Sequence, residues 1–374
     1  MNLKHLKENL FSPWLFVFLF LSFVLLSLLG FFFLRENLIF EIYPLTFFYI
    51  FMGIGFYVLG FKIRLRVERR ITLLVLFLFS TFYAVNVHSY LGLLVGIFVI
   101  TLCYNFKTLE RHGLSLYLLG ILLLLLELLY LGKLPLFYPQ IRRQAMNALF
   151  NFGFSFLYLG INFYLAENDL KKILPLLPAG FLVLLLFGLR TYLIVGVLSF
   201  GINAYYLRKI DIKEIFLTAL LVVLIVVGLG YLVVSFSSQI FHLNPIELIF
   251  YRFAYTFGVL NKIVSLSGFS GIGHGRLWLD VFSSKYIGLL TIGYERSTTT
   301  TIFGFLIMDG GFFELPIMTF MGATLKSLYQ EMKKRRELIP YYAILFSCML
   351  ISIEVGTLPL ILIGFFMALY RMEI

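Results

Sequence analysis

Long apolar runs separated by short polar segments make up most of the chain, and twelve of these runs are predicted to be helices. The runs are rich in leucine and phenylalanine, and most are close to the roughly 20 residues that an α-helix needs to cross a bilayer. Strands of a membrane barrel are shorter and alternate in polarity, which these runs do not. The predicted helices cover about 11–34, 38–61, 71–87, 91–106, 114–131, 148–166, 173–189, 191–207, 215–236, 300–325, 338–353 and 358–370.

One polar interruption, residues 237–298, is too long for a simple turn between the ninth and tenth predicted helices. Such a segment, held between membrane helices, is more often a working surface than a linker. Inside it, apolar positions of Glu247–Leu260 recur at helical spacing, and Arg252 shares another face with Thr256. This helix either lies along the outer interface or packs as a short helix of the fold. We therefore predict an all-α, polytopic transmembrane bundle of about twelve helices. Residues 1–374 form one integral membrane domain, with a long, partly helical extracytoplasmic loop at 237–298.

Composition and charge support a membrane protein and argue against other classes. The chain is 61% hydrophobic and 13% charged, and a soluble domain carries about twice that share of charge. A net charge of +11 would favour nucleic acid in a soluble protein, but here lysine and arginine fill the short cytoplasmic loops. The sequence has no nucleic-acid motif, so membrane lipids are the expected surroundings and nucleic acid is not an expected partner. Cys103 and Cys348 lie inside apolar runs, which favours packing over a disulfide or a metal pair.

The distribution of positive charge also orients the chain. Placing the N-terminus inside satisfies the positive-inside rule and makes both termini cytoplasmic in a multi-pass protein of the cytoplasmic membrane. Ten of the 30 Lys and Arg residues then lie outside. They are Arg35, Lys133, Arg142, Arg143, Arg190, Arg252, Lys262, Arg276, Lys285 and Arg296. Since several of them lie close to predicted helix ends, their side chains can meet near the outer headgroups.

Arginines gathered at one face suit an anionic lipid, such as one linked through a diphosphate. Guanidinium groups bind phosphate oxygens through two parallel hydrogen bonds, and their field stabilises a departing diphosphate. Arg190 ranks first, because the chain turns back there with almost no loop and a charge facing lipid is costly. For any single arginine, the alternative is an interface residue that extends its charge into the headgroups. The predicted binding residues are Arg142, Arg143, Arg190, Arg252, Arg276, Arg296 and Thr298, whose hydroxyl lies at a helix start.

Groups that could accept a proton lie in the same long segment. Four glycines between positions 268 and 275 permit close backbone approach around His274, which acts either as a general base or as a structural loop residue. The predicted catalytic candidates are Glu295, His274 and Asp280. Three further acids, Glu127, Asp309 and Glu354, lie in or beside apolar runs, where they must pair or line a cavity. Metal-ligand spacing is not found, so neither a metal nor another cofactor is expected.

Three passages of the sequence resemble the O-antigen or oligosaccharide repeat-unit polymerase family (Wzy-type). They are KLPLFYPQIRRQAMN, FGLRTYLIVGVLSF and ERSTTTTIFGFLIMDGGFFELPIMTFMGATL. The long outer segment before the tenth predicted helix matches the family's layout as well. The resemblance implies a metal-independent, membrane-embedded glycosyltransferase with a GT-C-like fold. It would transfer a growing glycan from polyprenyl diphosphate to a sugar hydroxyl of a lipid-linked repeat unit. It also implies essential outer arginines and, as a further candidate partner, a chain-length regulator protein.

Two other functions stay open on the sequence. An O-antigen ligase would use the same donor with a different acceptor, and the residues discriminate poorly between the two. A twelve-helix transporter or glycolipid flippase is the alternative from another class. Transporters usually carry internal repeats and sites near the membrane midplane, whereas no convincing repeat is found here and the polar residues gather on one side.

Overall fold

The computed structural model describes residues 9–34, 38–88, 92–138, 141–142, 144–145, 147–221, 224, 228, 245–275, 283–293, 298–356 and 358–373. Within these residues the regular structure is entirely helical, as predicted. The first helices are α1 (Trp14–Phe33), α2 (Leu45–Gly60), α3 (Arg69–His88), α4 (Gly92–Tyr104), α5 (Phe106–Arg111), α6 (Gly113–Leu131), α7 (Ala148–Glu167), α8 (Leu170–Ile173) and α9 (Leu177–Leu186). They are followed by α10 (Arg190–Tyr206), α11 (212–221), α12 (Pro245–Ser267), α13 (Ser283–Ile292), α14 (Ile302–Gly310), α15 (Ile317–Met332), α16 (Ile339–Ile351) and α17 (Leu358–Met372).

Three helices of the described residues are long and apolar enough to cross a membrane, namely α1, α6 and the 149–167 part of α7. The bent pair α14 and α15 adds a fourth if the two helices count as one span. This supports a membrane-embedded helical protein, while the total of twelve spans stays a prediction.

The prediction of one continuous helix over 300–325 is wrong. The chain forms α14 and α15 instead, which meet at an angle of 107°. Gly311 adopts a φ of 62°, which a residue inside a right-handed helix does not have. Pro316 has no N–H to donate to the helical hydrogen-bond pattern. Because both residues lie inside an apolar run, hydropathy alone does not show the break.

The chain divides into two compact units, and residues 105–245 with 332–347 belong to the first. In this unit α6 and α7 pack with their backbones in close contact at glycines. A Cβ atom at Gly120 would lie 2.7 Å from the carbonyl oxygen of Gly153. Small residues at helix interfaces allow this approach in membrane proteins. Asn147 caps α7 by accepting a hydrogen bond from the Phe150 amide at 3.1 Å.

The second unit contains residues 9–104, 246–331 and 348–374. Its helix α12 packs against α1, where Ser27 donates to the carbonyl oxygen of Phe253 at 3.1 Å. Farther along α12, the Asn261 side chain accepts from the Tyr43 amide at 2.8 Å and from the Thr46 hydroxyl at 2.9 Å. The predicted amphipathic helix is therefore part of a longer helix of 23 residues that packs inside this unit.

Candidate functional site

Arg252 of α12 lies at the centre of a polar cluster in the second unit. Its Nε donates to Oε1 of Glu354 at 2.5 Å, and its Nη2 donates to the Thr299 hydroxyl at 2.9 Å. The side chains of Arg252 and Glu354 are 37% and 35% exposed, so a ligand can reach both. We call Arg252, Thr299 and Glu354 the arginine–glutamate cluster. It joins three segments that are far apart in sequence.

Backbone hydrogen bonds hold the cluster at the start of α14. Thr301 caps this helix by accepting from the Gly304 amide at 3.2 Å. The amide of Ile302 donates to the Ser352 carbonyl at 2.9 Å, and the amide of Gly356 donates to the Thr300 carbonyl at 2.7 Å. The segment that carries Glu354 is therefore fixed beside the segment that carries Thr299.

The glycine-rich loop 268–275 packs against the opposite end of α14. The amide of Ile272 donates to the Met308 carbonyl at 2.8 Å, and the amide of His274 donates to the Asp309 carbonyl at 2.8 Å. These bonds satisfy carbonyl groups that a helix leaves unpaired at its end. The His274 side chain is exposed, and Asp309 is fully buried. The loop and the arginine–glutamate cluster lie at opposite ends of α14, which has nine residues and is therefore about 13 Å long. The structure thus does not bring His274 to Arg252.

The substitution Gly271→Ala tests whether the close packing of loop 268–275 against α14 stabilises the break between α14 and α15. Gly271 has a φ of 73°, and a Cβ there would lie 2.6 Å from the Gly311 amide nitrogen. We expect Gly271→Ala to cost about 2–5 kcal/mol, because strain in the left-handed region adds to the overlap. Thermal unfolding of the purified protein in detergent measures this loss.

The matched control for that substitution is Gly275→Ala. Gly275 has a φ of 89° with nothing within 4 Å of its Cβ position, so only the backbone strain of about 1–2 kcal/mol applies. Equal melting temperatures for the two variants would show that the contact with α14 contributes nothing.

In the first unit, Arg142 and Arg190 come from segments that meet at Gly188. Arg142 donates from Nε to the Pro135 carbonyl at 2.9 Å and from Nη2 to the Leu136 carbonyl at 3.0 Å. A Cβ atom at Gly188, two residues before Arg190, would lie 3.0 Å from Nε of Arg142. Burial lowers the pKa of the Arg142 guanidinium from its ordinary value, although an arginine stays protonated. Arg142 therefore brings a positive charge to the start of α10.

Glu127 of α6 is fully buried in the same unit. Its Oε1 accepts from Nδ2 of Asn147 at 2.9 Å, and Asn147 also caps α7. This acid was predicted to pair or to line a cavity, and it pairs with a neutral amide. This contact links α6 to the residue that caps the start of α7.

The remaining sequence-predicted residues are distributed as follows. Thr298 is buried beside Thr299. The predicted site residues Arg143, Arg276, Arg296, Glu295 and Asp280 lie outside the described residues. The sequence predicted that Glu354 pairs or lines a cavity, and it pairs, but the sequence did not identify Arg252 as the partner. It also did not single out Thr299 from its neighbouring threonines.

A cavity of about 260 Å³ in the first unit contains none of the candidate residues. Its charged lining residues are Glu110, Glu167, Lys209, Arg336 and Glu337. The Lys209 ammonium donates to the backbone carbonyls of Leu165 and Asn168, and so satisfies carbonyl groups at the C-terminal end of α7. Within the part of the chain that the structure describes, no group of three or more His, Cys, Asp or Glu side chains is placed to hold a metal ion.

The residues of the arginine–glutamate cluster lie in the part of the chain that a protein-family model matches. A family model described as "Putative O-antigen polymerase" matches residues 9–366. The chain belongs to this family. Family membership and the apolar helices together make it an integral membrane protein.

Two relatives of this O-antigen polymerase family chain come from Methanocaldococcus jannaschii. Uncharacterized protein MJ0420 is 30% identical over 241 residues, which are 64% of this chain and 58% of the relative. Uncharacterized protein MJ0419 is 30% identical over 308 residues, which are 76% of this chain and 83% of the relative. The chain thus spans less than two thirds of the length of MJ0420. No solved structure matches it.

Proposed function

We propose that this protein polymerises lipid-linked oligosaccharide repeat units at the outer face of the cytoplasmic membrane. The family implies a glycosyltransferase-like enzyme that acts on a lipid-linked substrate in the membrane. The observation that carries the proposal is the partly exposed guanidinium of Arg252, which lies beside the Thr299 hydroxyl. Both groups can donate hydrogen bonds to phosphate oxygens.

In the proposed reaction, a hydroxyl of the acceptor sugar attacks the anomeric carbon of the donor glycan. The bond from that carbon to the diphosphate breaks, and polyprenyl diphosphate leaves with the electron pair. Arg252 stabilises the negative charge that develops on the leaving group. A preorganised positive group is effective here because it already lies where the charge develops. The other predicted arginines stay candidates for binding phosphate or glycan, Arg142, Arg143 and Arg190 in the first unit and Arg276 and Arg296 in the second.

The outer location is part of the proposal, and the arginine–glutamate cluster supports one part of it, that three segments lie on the same side of the membrane. The predicted topology assigns the segments of Arg252, Thr299 and Glu354 to the outer side. Hydrogen bonds of 2.5 and 2.9 Å join these three residues, which requires them to lie at one level. A topology that put one segment on the other side would separate it by the thickness of the bilayer, roughly 30 Å.

The experiment uses the full chain in lipid nanodiscs with lipid-linked oligosaccharides extracted from the source membranes. We expect a ladder of lipid-linked glycans that grows by whole repeat units, together with released polyprenyl diphosphate, both followed by mass spectrometry. Glycan transferred only to a different acceptor would contradict polymerisation and favour a ligase. Movement of the lipid across a liposome bilayer without glycan growth would favour a flippase.

A further inference from the structure

We propose that Glu354 accepts the proton of the acceptor hydroxyl, and that the donor diphosphate activates it by drawing Arg252 away. This inference rests on the proposed function and adds the base that the reaction requires. Glu354 is suited to the role by position, because its carboxylate contacts the guanidinium that the donor phosphates would occupy. A proton acceptor must lie within hydrogen-bond reach of the reacting hydroxyl, and therefore close to the bound diphosphate.

Other acid–base groups with described side chains fit less well. His274 and Asp309 lie at the far end of α14, a helix about 13 Å long, whereas Thr299 and Glu354 lie at its start. Glu127 is fully buried and accepts from Asn147, whereas Glu354 is 35% exposed. Glu354 thus combines access for a sugar with direct contact to Arg252.

In the absence of substrate, the ion pair with Arg252 occupies the Glu354 carboxylate. The carboxylate accepts a charge-assisted hydrogen bond from Nε of Arg252 at 2.5 Å, so Oε1 of Glu354 is engaged by the guanidinium. A diphosphate carries more negative charge than a carboxylate and presents pairs of oxygens that match the guanidinium fork. It therefore competes with Glu354 for Arg252, while the Thr299 hydroxyl stays beside the bound phosphates.

Donor binding then prepares both the leaving group, which contacts Arg252, and the base, Glu354. Once Arg252 has turned to the diphosphate, Oε1 of Glu354 no longer accepts from Nε and can accept a hydrogen bond from the acceptor hydroxyl. The proton of the acceptor hydroxyl passes to a carboxylate oxygen of Glu354 as its oxygen bonds to the anomeric carbon. The old bond breaks toward the diphosphate, and the proton later leaves Glu354 for water. The base is active only when a donor is present.

The test compares Glu354→Gln and Glu354→Asp with the unsubstituted protein in nanodiscs. Two quantities are measured: the single-turnover rate of glycan transfer and the Kd of farnesyl diphosphate, a probe without sugar. Glutamine keeps the size of the side chain and an oxygen for Arg252 but removes the basic carboxylate. We expect Glu354→Gln to slow transfer by about 100-fold or more. The Kd should be unchanged or lower, because Arg252 no longer has an anionic partner in the protein. Aspartate should restore part of the transfer rate.

Glu331→Gln is the matched control, because Glu331 also pairs with an arginine of the second unit, Arg64, at 3.3 Å. It should change neither the transfer rate nor the Kd. Transfer by Glu354→Gln within threefold of the unsubstituted rate would overturn the role of Glu354 alone. So would a Kd weakened by tenfold or more, which would indicate a structural role for the pair. If the unsubstituted protein itself transfers no glycan, the proposed function fails and this inference fails with it.

Discussion

Replacing Arg252 with glutamine is expected to reduce glycan transfer by about 100- to 1,000-fold, the range found when one group that stabilises developing charge is removed. The variant loses the positive charge that faces the leaving diphosphate, so the Kd of farnesyl diphosphate should also weaken. Glu354 would lose its partner, but it is 35% exposed and water can solvate it. The protein should therefore fold, and the rate and the Kd can both be measured in nanodiscs.

Two further variants decide how Arg252 acts. Arg64→Gln removes an arginine that is 61% exposed from another ion pair of the same unit, and it should leave transfer unchanged. Arg252→Lys keeps the charge but not the planar fork, so we expect an intermediate rate. If Arg252→Gln retained transfer within threefold of the unsubstituted protein, the diphosphate would have to bind elsewhere.

The helical class of the fold could be predicted because it depends on local pattern. Apolar runs of the right length identify α1, α6 and α7 without any knowledge of their neighbours. The break between α14 and α15 depends on backbone conformation at Gly311 and on Pro316, and both residues occur inside an apolar run. Hydropathy averages over such positions, which explains why the sequence favoured one continuous helix there.

The candidate site was predictable to a smaller extent. Arg252 was one of six predicted binding arginines that the positive-inside rule does not explain, and Arg190 ranked above it. Its partner Glu354 is 102 positions away, and periodicity carries no information about contacts over that separation.

Of the four glycines around His274 that were predicted to permit close approach, Gly271 and Gly273 do so, and they approach the end of α14. The Cβ positions of Gly268 and Gly275 have nothing within 4 Å. That contact also depends on two segments distant in sequence.

Replacing Arg142 with lysine is expected to destabilise the first unit and to reduce transfer, although the charge is kept. The Arg142 guanidinium joins two adjacent backbone carbonyls, at 2.9 and 3.0 Å, through two of its nitrogens. A lysine ammonium cannot reproduce that planar arrangement, so at least one partly buried carbonyl loses its donor. An unsatisfied group of this kind costs about 1–3 kcal/mol. The melting temperature in detergent should fall by several degrees.

Comparison with Lys133→Gln distinguishes this structural role of the Arg142 guanidinium from an effect of positive charge alone. Lys133 lies in the same segment and is exposed, with its ammonium 5.5 Å from the centre of the Tyr138 ring. If the segment acts only through its positive field, Lys133→Gln should reduce transfer and Arg142→Lys should not. If the guanidinium instead positions the segment beside Gly188 and Arg190, Arg142→Lys should reduce transfer and Lys133→Gln should not. Because both geometry and charge at the start of α10 depend on Arg142, we expect Arg142→Lys to lower the melting temperature and the transfer rate together. Unchanged values of both would contradict its role in positioning.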